Sequence, residues 1–548
     1  MPSLEAPLWC IPCHILVILV WHGSNFANES PACRNRQTGK QMKTWPHVAA
    51  VDLGSNSFRL EVGRTEGGHI YVQDSLRSNV RLAAGLRPDK RLDYESQTRG
   101  LDALARFAQR IVGFPASHVR AVATNTLRVA RNAGDFIARA EIILGFPIEV
   151  VAGREEARLI FCGVAHSVPA NEDRRLVVDI GGGSTEFSIG TGFEPELMES
   201  LYMGSINSTL AHFPGGFIDD FTMKQAELAA RREIEVISAA AIKSAWTVAI
   251  ASSGTARTIA RVLAENNGGD GSISAAGMRW IRKKMLTAGS IDQLDFAGLK
   301  PERALNLPGG FAILSSVFTE LGLERMQVAD NSLRLGVLYD LLNRLSAPEA
   351  AHDKREDTVT QFEARYHVDR RQSARITNLS LRLAADVVPE LRESHAETYR
   401  FIEWAARLHE VGLTIAHNGY HKHSAYIVAN ADMPGFSRDE QKRLAFLILG
   451  HAGKLPKLAR EAMPKPWWLA VACLRLGALV HRSRQPFEVP AIELKLEAKR
   501  LSLAIDEPWL QANPLTAYSL DQEVKAWQEL GDERPFGFAL EHKVPLPA

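Results

Sequence analysis

The sequence is poor in cysteine and has no excess of charge of either sign. It has five cysteines in 548 residues, and 64 lysines and arginines against 63 aspartates and glutamates. Such a low number of cysteines excludes a disulfide framework and fits a reducing compartment. A net charge of +1 gives no general reason to expect a nucleic acid or an anionic membrane as a partner.

A long apolar run is also lacking. The candidate segment, Leu8 to Trp21, contains Pro12 and His14 and is shorter than the roughly 20 residues that span a bilayer. No lysine or arginine precedes it, although a signal peptide would carry one there. We therefore interpret residues 1–46 as a disordered or mis-called N-terminal extension. A weak export or anchoring segment is the alternative.

The chain is long and apolar enough to bury several cores, since 46% of its 548 residues are hydrophobic. Strand-like and helical patterns alternate up to about residue 346, which predicts two α/β lobes, 47–160 and 161–346. Over residues 347–489 apolar residues recur at spacings of three and four, which predicts an all-α domain. Residues 490–548 have the pattern of short strands with some helix, typical of a small α+β domain.

The same unit opens both predicted lobes. Residues 50–63 (AVDLGSNSFRLEVG) align without gaps with residues 177–190 (VVDIGGGSTEFSIG). Glycine lets a backbone approach a ligand closely, and a tight turn aims several N–H groups at one point, which favours anions. The aspartates before the turns, Asp52 and Asp179, can hold Mg²⁺, which in turn binds phosphate oxygens. Two ordinary glycine-rich hairpin turns are the alternative.

Three further segments carry candidate residues. The stretch ASSGTART (251–258) follows a strand and opens a helix, where free N–H groups favour anions. Glu156 follows a strand and a glycine, and a carboxylate held beside phosphate-binding turns can take a proton from water. Arg128 lies at a predicted helix start, from which it can reach a phosphate. Helix capping for the serines and acidic residues, and solvent exposure for the arginine, are the structural alternatives.

The predicted all-α domain contains a histidine cluster: His409, His417, His421, His423 and His451. Such spacing is compatible with a metal site, a hydrogen-bonded polar core or a basic lining for a polyanion. The sequence favours the two interpretations without metal.

These motifs resemble those of the exopolyphosphatase / guanosine pentaphosphate phosphohydrolase family, in its bacterial long form. The similarity runs from about residue 47 to near the C-terminus and includes LPGGFAIL and LHEVGLTIAHNGYHKHSAYIVANADMPGF. The resemblance implies two actin-like (ribonuclease H-like) α/β lobes with the active cleft between them, an HD-like all-α domain and a small α+β C-terminal domain. HD hydrolases have a His-Asp pair where this chain has His409-Glu410, so we expect this domain to bind substrate or a dimer partner.

The resemblance also implies residue roles. Glu156 is the expected general base, Arg128 is an expected phosphate contact, and Asp52, Asp179 and Glu186 are the expected ligands of Mg²⁺. The expected phosphate-binding residues are Gly54, Ser55, Asn56, Ser57, Gly181, Gly182, Gly183, Ser184, Thr185, Ser253, Gly254 and Thr255.

We therefore expect an exopolyphosphatase that releases orthophosphate from the end of inorganic polyphosphate by Mg²⁺-assisted attack of water. The alternatives are a guanosine pentaphosphate phosphohydrolase, a non-catalytic polyphosphate or nucleotide sensor, and a kinase or chaperone-type ATPase of the same superfamily. The expected partners are the phosphate substrate and a second copy in a homodimer, with no nucleic acid. The expected location is cytoplasmic, with weak peripheral association at the inner membrane as a variant.

Overall fold

The computed structural model describes residues 46–66, 68–168, 173–267, 270–345, 353–387, 396–459, 461, 463–531 and 535–543. They belong to one compact unit, Trp45–Ala548. The predicted N-terminal extension, up to residue 45, lies outside the described residues. In the part of the chain that is described, no helix combines the length and the apolar character needed to cross a membrane.

The first lobe is built on a sheet with the strand order β3-β2-β1-β4-β5. Its elements are β1 (His47–Leu53), β2 (Phe58–Glu66), β3 (His69–Ser78), α1 (Tyr94–Ile111), β4 (Val119–Ala123), α2 (Asn125–Val129), α3 (Ala133–Leu144), β5 (Ile148–Val150) and α4 (Gly153–Ala165). Strand β1 is apolar at almost every position because both its faces are buried. Ala49, Val51 and Leu53 contribute to one core, and Val48 and Ala50 to another.

The second lobe repeats this arrangement. Its elements are β6 (Arg174–Ile180), β7 (Thr185–Thr191), β8 (Glu194–Leu201), α5 (Ser205–His212), α6 (Asp220–Lys243), β9 (Val248–Ser252), α7 (Gly254–Asn267), β10 (Ile273–Ser274), α8 (Ala275–Ala288), α9 (Pro301–Ala304), α10 (Leu307–Glu320), β11 (Arg325–Ala329) and α11 (Leu333–Leu345). The strand order is β10-β11-β9-β6-β7-β8. Apart from the short β10, each strand has a counterpart at the same place in the first sheet, so the predicted pair of actin-like lobes is confirmed.

Helices α4 and α11 pack between the two sheets. The core around them takes Val48 and Val122 from the first sheet and Val177 and Ile250 from the second. The two helices approach so closely that a Cβ at Gly336 would overlap the carbonyl oxygen of Leu159. A residue without a side chain is therefore required at this crossing. The contact fixes α4, which carries Glu156, against both lobes.

Beyond the lobes, helices and a third sheet share one core. The helices are α12 (Lys354–Arg365), α13 (Arg370–Val387), α14 (Ala396–Leu408), α15 (Tyr420–Asn430), α16 (Arg438–Gly450) and α17 (Lys465–Val480). They are followed by β12 (Ile492–Glu497), β13 (Arg500–Asp506), α18 (Glu507–Ala512), α19 (Pro514–Gln528) and β14 (Gly537–Lys543). A single hydrophobic cluster runs from Val359 to Phe538. The all-α region and the small α+β region confirm the predicted fold classes, whereas the boundary at residues 489 and 490 stays a prediction.

Candidate active site

A cleft between the two lobes collects most of the residues singled out in the sequence. Asp52, Glu156, Asp179 and Glu186 all line it. The lining also includes the predicted turn residues Gly54, Ser55, Asn56, Ser57, Gly181, Gly182, Ser184, Ser253, Gly254 and Thr255. The gapless repeat therefore places two equivalent turns at one site, one from each lobe.

The two turns are in contact with each other. A Cβ built on Gly182 would lie 3.2 Å from the Cβ of Ser55 and 3.5 Å from the backbone nitrogen of Asn56. The hydroxyl of Thr126, in the short helix α2, donates to Ser55 Oγ at 2.8 Å. The first turn is thus held by its own lobe while the second packs directly against it. The two turns thus line one space together, an arrangement that suits an anion site.

Helix N-termini add to the positive potential of the cleft. Ser205, Gly254 and Leu333 stand at the first positions of α5, α7 and α11, and all three line the cleft. The helix dipole favours an anion at such ends, although the first N–H groups of α5 already donate to the carbonyl oxygens of Gly181 and Gly182. Ser253, just before α7, has a φ of 140°, a conformation rarely adopted by residues other than glycine. Its hydroxyl accepts a hydrogen bond from the N–H of Ala256 at 3.1 Å.

Four buried carboxylates lie in this cleft. Burial raises the pKa of Asp52 to about 6, and the neighbouring Asp179 adds to the rise while Arg334 and Arg59 oppose it. Burial likewise raises the pKa of Asp179. The pKa of Glu186 is raised well above its usual value by burial and by the Glu156 carboxylate. A cation at this site would favour the ionised forms of these carboxylates, because an opposite charge nearby lowers a raised carboxyl pKa.

Glu156 is paired with Arg128. The Arg128 Nη1 donates to Glu156 Oε2 at 3.0 Å and to the carbonyl oxygen of Val151 at 3.0 Å. Burial raises the pKa of Glu156 to about 7, and the arginine works against that rise. The carboxylate is therefore tuned near neutral pH, where a general base is most effective.

Three predicted residues do not line the cleft. Arg128 is engaged by Glu156, so its direct contact with phosphate stays a prediction. The hydroxyl of Thr185 donates to the carbonyl oxygen of Met203 at 2.7 Å, and Gly183 packs beside Asn125. These two residues shape the second turn from behind, and their phosphate contacts stay predictions as well.

Sequence reasoning missed the arginines of the cleft: Arg59, Arg257, Arg303 and Arg334. Burial and the charge of Arg334 together lower the pKa of Arg59 to about 10. Burial, together with the charges of Arg77 and Arg257, also lowers the pKa of Arg303 to about 10. Arg334 donates to Glu61 Oε1 at 2.6 Å, and the remaining like charges at half-buried positions are costly unless an anion balances them. A signal was present for Arg59, which follows the first turn by two residues, and for Arg257 in ASSGTART.

The carboxylates fit a metal ion that is shared with the substrate. The Oδ1 atom of Asp52 is buried and has no hydrogen-bond partner among the described residues, which suits a cation ligand. Over the same residues, no three histidine, cysteine, aspartate or glutamate side chains surround a point as a complete metal site. Mg²⁺ usually takes one or two carboxylates and completes its shell with water and substrate phosphates. The donor set therefore fits Mg²⁺ better than an ion that needs an all-protein cage.

The fold and the site define a class. Two lobes of actin-like topology meet at paired phosphate-type turns, with a carboxylate poised near neutrality beside them. Such an arrangement suits chemistry on phosphoryl groups, which needs positioning and charge stabilisation. Residues 62–345 match the model of the Ppx/GppA phosphatase family, and residues 354–524 match domain III of Ppx/GppA phosphatases. The chain belongs to the Ppx/GppA phosphatase family, whose members are hydrolases acting on phosphoanhydride bonds.

Relatives and solved structures agree with this placement. A guanosine-5'-triphosphate,3'-diphosphate pyrophosphatase of Vibrio cholerae serotype O1 is 35% identical over 493 residues, which cover 89% of this chain and 97% of the relative. A protein of the same name from Vibrio vulnificus is 34% identical over the same length and coverage. An exopolyphosphatase structure from Cytophaga hutchinsonii is 24% identical, with a TM-score of 0.51, and covers 55% of this chain and 99% of its own. The structure of an exopolyphosphatase-like protein is 25% identical, with a TM-score of 0.50. The match covers 55% of this chain and 100% of that protein.

Proposed function

We propose that this chain hydrolyses the terminal phosphoanhydride bond of guanosine pentaphosphate and releases orthophosphate. The observation that carries the proposal is the position of Glu156 in the same cleft as the two opposed turns. A phosphate chain bound to the turns places its terminal phosphorus where a carboxylate can activate water. Phosphoryl transfer needs mainly this kind of positioning and charge stabilisation.

In the proposed reaction, a water oxygen attacks the terminal phosphorus and the bond to the bridging oxygen breaks. Glu156 accepts the proton of the attacking water, and the bridging oxygen leaves with the shortened phosphate chain. Backbone N–H groups of the turns and the arginines Arg59, Arg257 and Arg334 stabilise the equatorial oxygens. Arg128 orients the base through the 3.0 Å contact and keeps it ionised.

Asp52, Asp179 and Glu186 would hold Mg²⁺. When bound, this ion neutralises phosphate oxygens and draws electron density from the phosphorus. The unpartnered Oδ1 of Asp52 supports its place among the ligands.

The choice of guanosine pentaphosphate rests on similarity over nearly the whole chain. The relatives with that activity in their name are 34–35% identical over 89% of this chain. The exopolyphosphatase structure is similar over 55% of the chain at 24% identity, which supports the fold.

Inorganic polyphosphate is the second candidate, favoured by the arginines. Burial is the main cause of the lowered pKa values of Arg59 and Arg303. The charge of Arg77, on β3, lowers both pKa values as well. Positive charge thus continues from the cleft toward β3. A continuous positive path suits a long polyanion.

Phosphate release from guanosine pentaphosphate, long-chain polyphosphate and ATP, each with and without Mg²⁺, tests the proposal. We expect the highest kcat/KM for guanosine pentaphosphate, and a Mg²⁺ requirement. A higher value for polyphosphate would move the assignment to the second candidate. Tight binding of either compound without phosphate release would make the chain a sensor and overturn the hydrolase.

Other expectations from the sequence stand as part of this proposal. We propose a homodimer and a cytoplasmic location for the enzyme, and weak membrane association stays a prediction. Sedimentation equilibrium of the full chain tests the first of these.

A further inference from the structure

The helical region contains a second cavity, of about 610 Å³. Small-molecule sites commonly measure about 300–1,000 Å³. Helices α13, α17 and α19 and the segments that follow α14 and α16 form its walls. Among the described residues, none that lines this cavity also lines the catalytic cleft.

Two buried histidines at the cavity have fixed tautomers. His409 Nδ1 lies 2.7 Å from the carbonyl oxygen of Ala406, and His451 Nδ1 lies 2.6 Å from that of Ile448. A carbonyl oxygen only accepts hydrogen bonds, so each Nδ1 carries the proton. Burial lowers the pKa of both rings, which are therefore neutral with a lone pair on Nε2. The Tyr420 hydroxyl lies 3.1 Å from His451 Nε2 and donates to it, so His409 Nε2 is the ring acceptor left for a ligand.

A carboxylate adds further acceptors beside these rings. Glu410 Oε1 lies 3.7 Å from His409 Nε2 and accepts a hydrogen bond from Arg484. Its other oxygen, Oε2, has no hydrogen-bond partner among the residues that the structure describes. The interior thus offers acceptors, and a ligand that enters it must bring N–H or O–H donors.

The remaining walls are partly apolar. Ile376, Leu413, Leu479 and Ala526 line the cavity. Such side chains favour a flat ring, because the two faces of the ring bury apolar surface against them and leave no polar group unpaired.

The charge at the cavity is uneven. Arg475 is neutralised by a bidentate pair with Glu523, at 2.5 and 2.6 Å. Arg482, in contrast, is exposed and has no ion-pair partner in the described part of the chain. His417 is also exposed and lines the same cavity. Lys457 lies behind Gly453, but burial lowers its pKa to about 7 and its Nζ donates to the carbonyl oxygen of Ala452 at 2.6 Å, so it adds little charge. The rim therefore favours an anion.

We propose that this cavity is a second ligand site that binds a guanine nucleotide, with the base inside and the phosphates at Arg482 and His417. Guanine suits the acceptors because its pairing edge carries two adjacent N–H donors, which a carboxylate oxygen and a ring nitrogen can accept. The proposal is independent of the substrate of the catalytic cleft.

Binding of GDP to the full chain, measured by titration calorimetry, tests this site. Arg482→Glu reverses the charge of the rim, and Ala526→Phe fills the apolar wall. We expect each to weaken GDP binding about tenfold or more. Arg482→Glu removes a charge-assisted hydrogen bond, and Ala526→Phe occupies the space of the base. Arg438→Glu, on the exposed face of α16, is the matched control and should change nothing. Melting curves establish that the variants are folded.

Further arms separate this site from the catalytic cleft. Asp179→Asn, in the cleft, should leave GDP binding intact, and phosphate release should be unchanged in Arg482→Glu and Ala526→Phe. ADP and inorganic tripolyphosphate should bind at least tenfold more weakly than GDP. Loss of GDP binding in Asp179→Asn, or equal binding of tripolyphosphate, would overturn the proposal. So would GDP binding that Ala526→Phe does not weaken, or the absence of measurable binding.

Discussion

The backbone N–H of Gly435 donates a hydrogen bond to Glu155 Oε2 at 2.8 Å. Glu155 immediately precedes the proposed base and lies in the first turn of α4, whereas Gly435 belongs to the helical region. Both oxygens of Glu155 also accept from Arg158 at 2.8 Å. Arg158 in turn pairs with Asp340 of α11. The helix that carries the proposed base is thus tied to the helical region through buried charges.

Glu155→Gln removes one charge from this network and leaves Arg158 less well compensated. Breaking a buried ion pair costs about 3–5 kcal/mol, so we expect a comparable loss in the free energy of unfolding, measured in urea. Glu199→Gln is the control, because its partner Arg154 is 45% exposed and such a pair contributes under about 1 kcal/mol. Equal losses in the two variants would contradict the network.

The same network extends through Arg344, which pairs with both Asp340 and Glu440, and it predicts sensitivity to acid. Burial would raise the pKa of Glu440, but Arg344 and Arg355 lower it to about 2. Arg158 and Arg344 likewise hold the pKa of Asp340 below its usual value against the effect of burial. A depressed pKa means that the stabilisation is complete above the ordinary value of 4.5 and is lost as the pH falls toward about 2.

For Glu440 the shift corresponds to about 3 kcal/mol, at about 1.4 kcal/mol per pH unit. We expect the free energy of unfolding to fall by this order between about pH 5 and pH 2, and Glu440→Gln to flatten that dependence. Urea unfolding at several pH values measures it. Parallel pH profiles for the wild type and the variant would show that Glu440 is not the group involved.

Glu156→Gln tests the base itself. Removing a general base typically costs a factor of about 10²–10⁴, and we expect kcat to fall by this factor while KM changes little. Glu95→Gln, at an exposed position of α1, is the matched control. A kcat within about twofold of the wild type would remove Glu156 from the mechanism. Initial rates of phosphate release give both constants.

Arg128→Gln separates two roles for this arginine. Its charge opposes the rise in the pKa of Glu156, so its loss should raise that pKa further above about 7. Because the base acts when ionised, the rising limb of the kcat–pH profile should move to higher pH, with activity recovering in alkaline buffer. If Arg128 contacts phosphate instead, KM should increase at every pH. Arg131→Gln, at an exposed position nearby, should alter neither constant.

The repeat was visible in the sequence because two short segments align without gaps. It led correctly to paired turns and to the common placement of Asp52 and Asp179. The same alignment pairs Arg59 with Glu186, and each stands opposite the aspartate of its own hairpin. Equivalent backbone positions thus carry opposite charges, an asymmetry that the pattern of glycines does not reveal.

Contacts between residues far apart along the chain could not be predicted from the sequence. Arg303 and Arg334 are far from the turns along the chain and reach the cleft through the packing of α9 and α11. The link from Gly435 to Glu155 joins residues 280 positions apart. Local patterns predict strands and helices well, whereas such contacts depend on how complete elements pack together.

The crossing of α4 and α11 gives a final prediction, on Gly336. A Cβ there would overlap the carbonyl oxygen of Leu159, a backbone atom that cannot move without shifting α4. Overpacking of this kind costs about 1–3 kcal/mol or more, so Gly336→Ala should lower the free energy of unfolding by at least that amount. Because Leu159 lies one turn after Glu156, kcat should fall as well. Gly134→Ala is the matched control, since nothing lies within 4 Å of its built Cβ and its helix should gain up to about 1 kcal/mol from alanine. Equal stability of the two variants in urea would show that α4 and α11 can separate at no cost, and that their crossing does not set the position of the base.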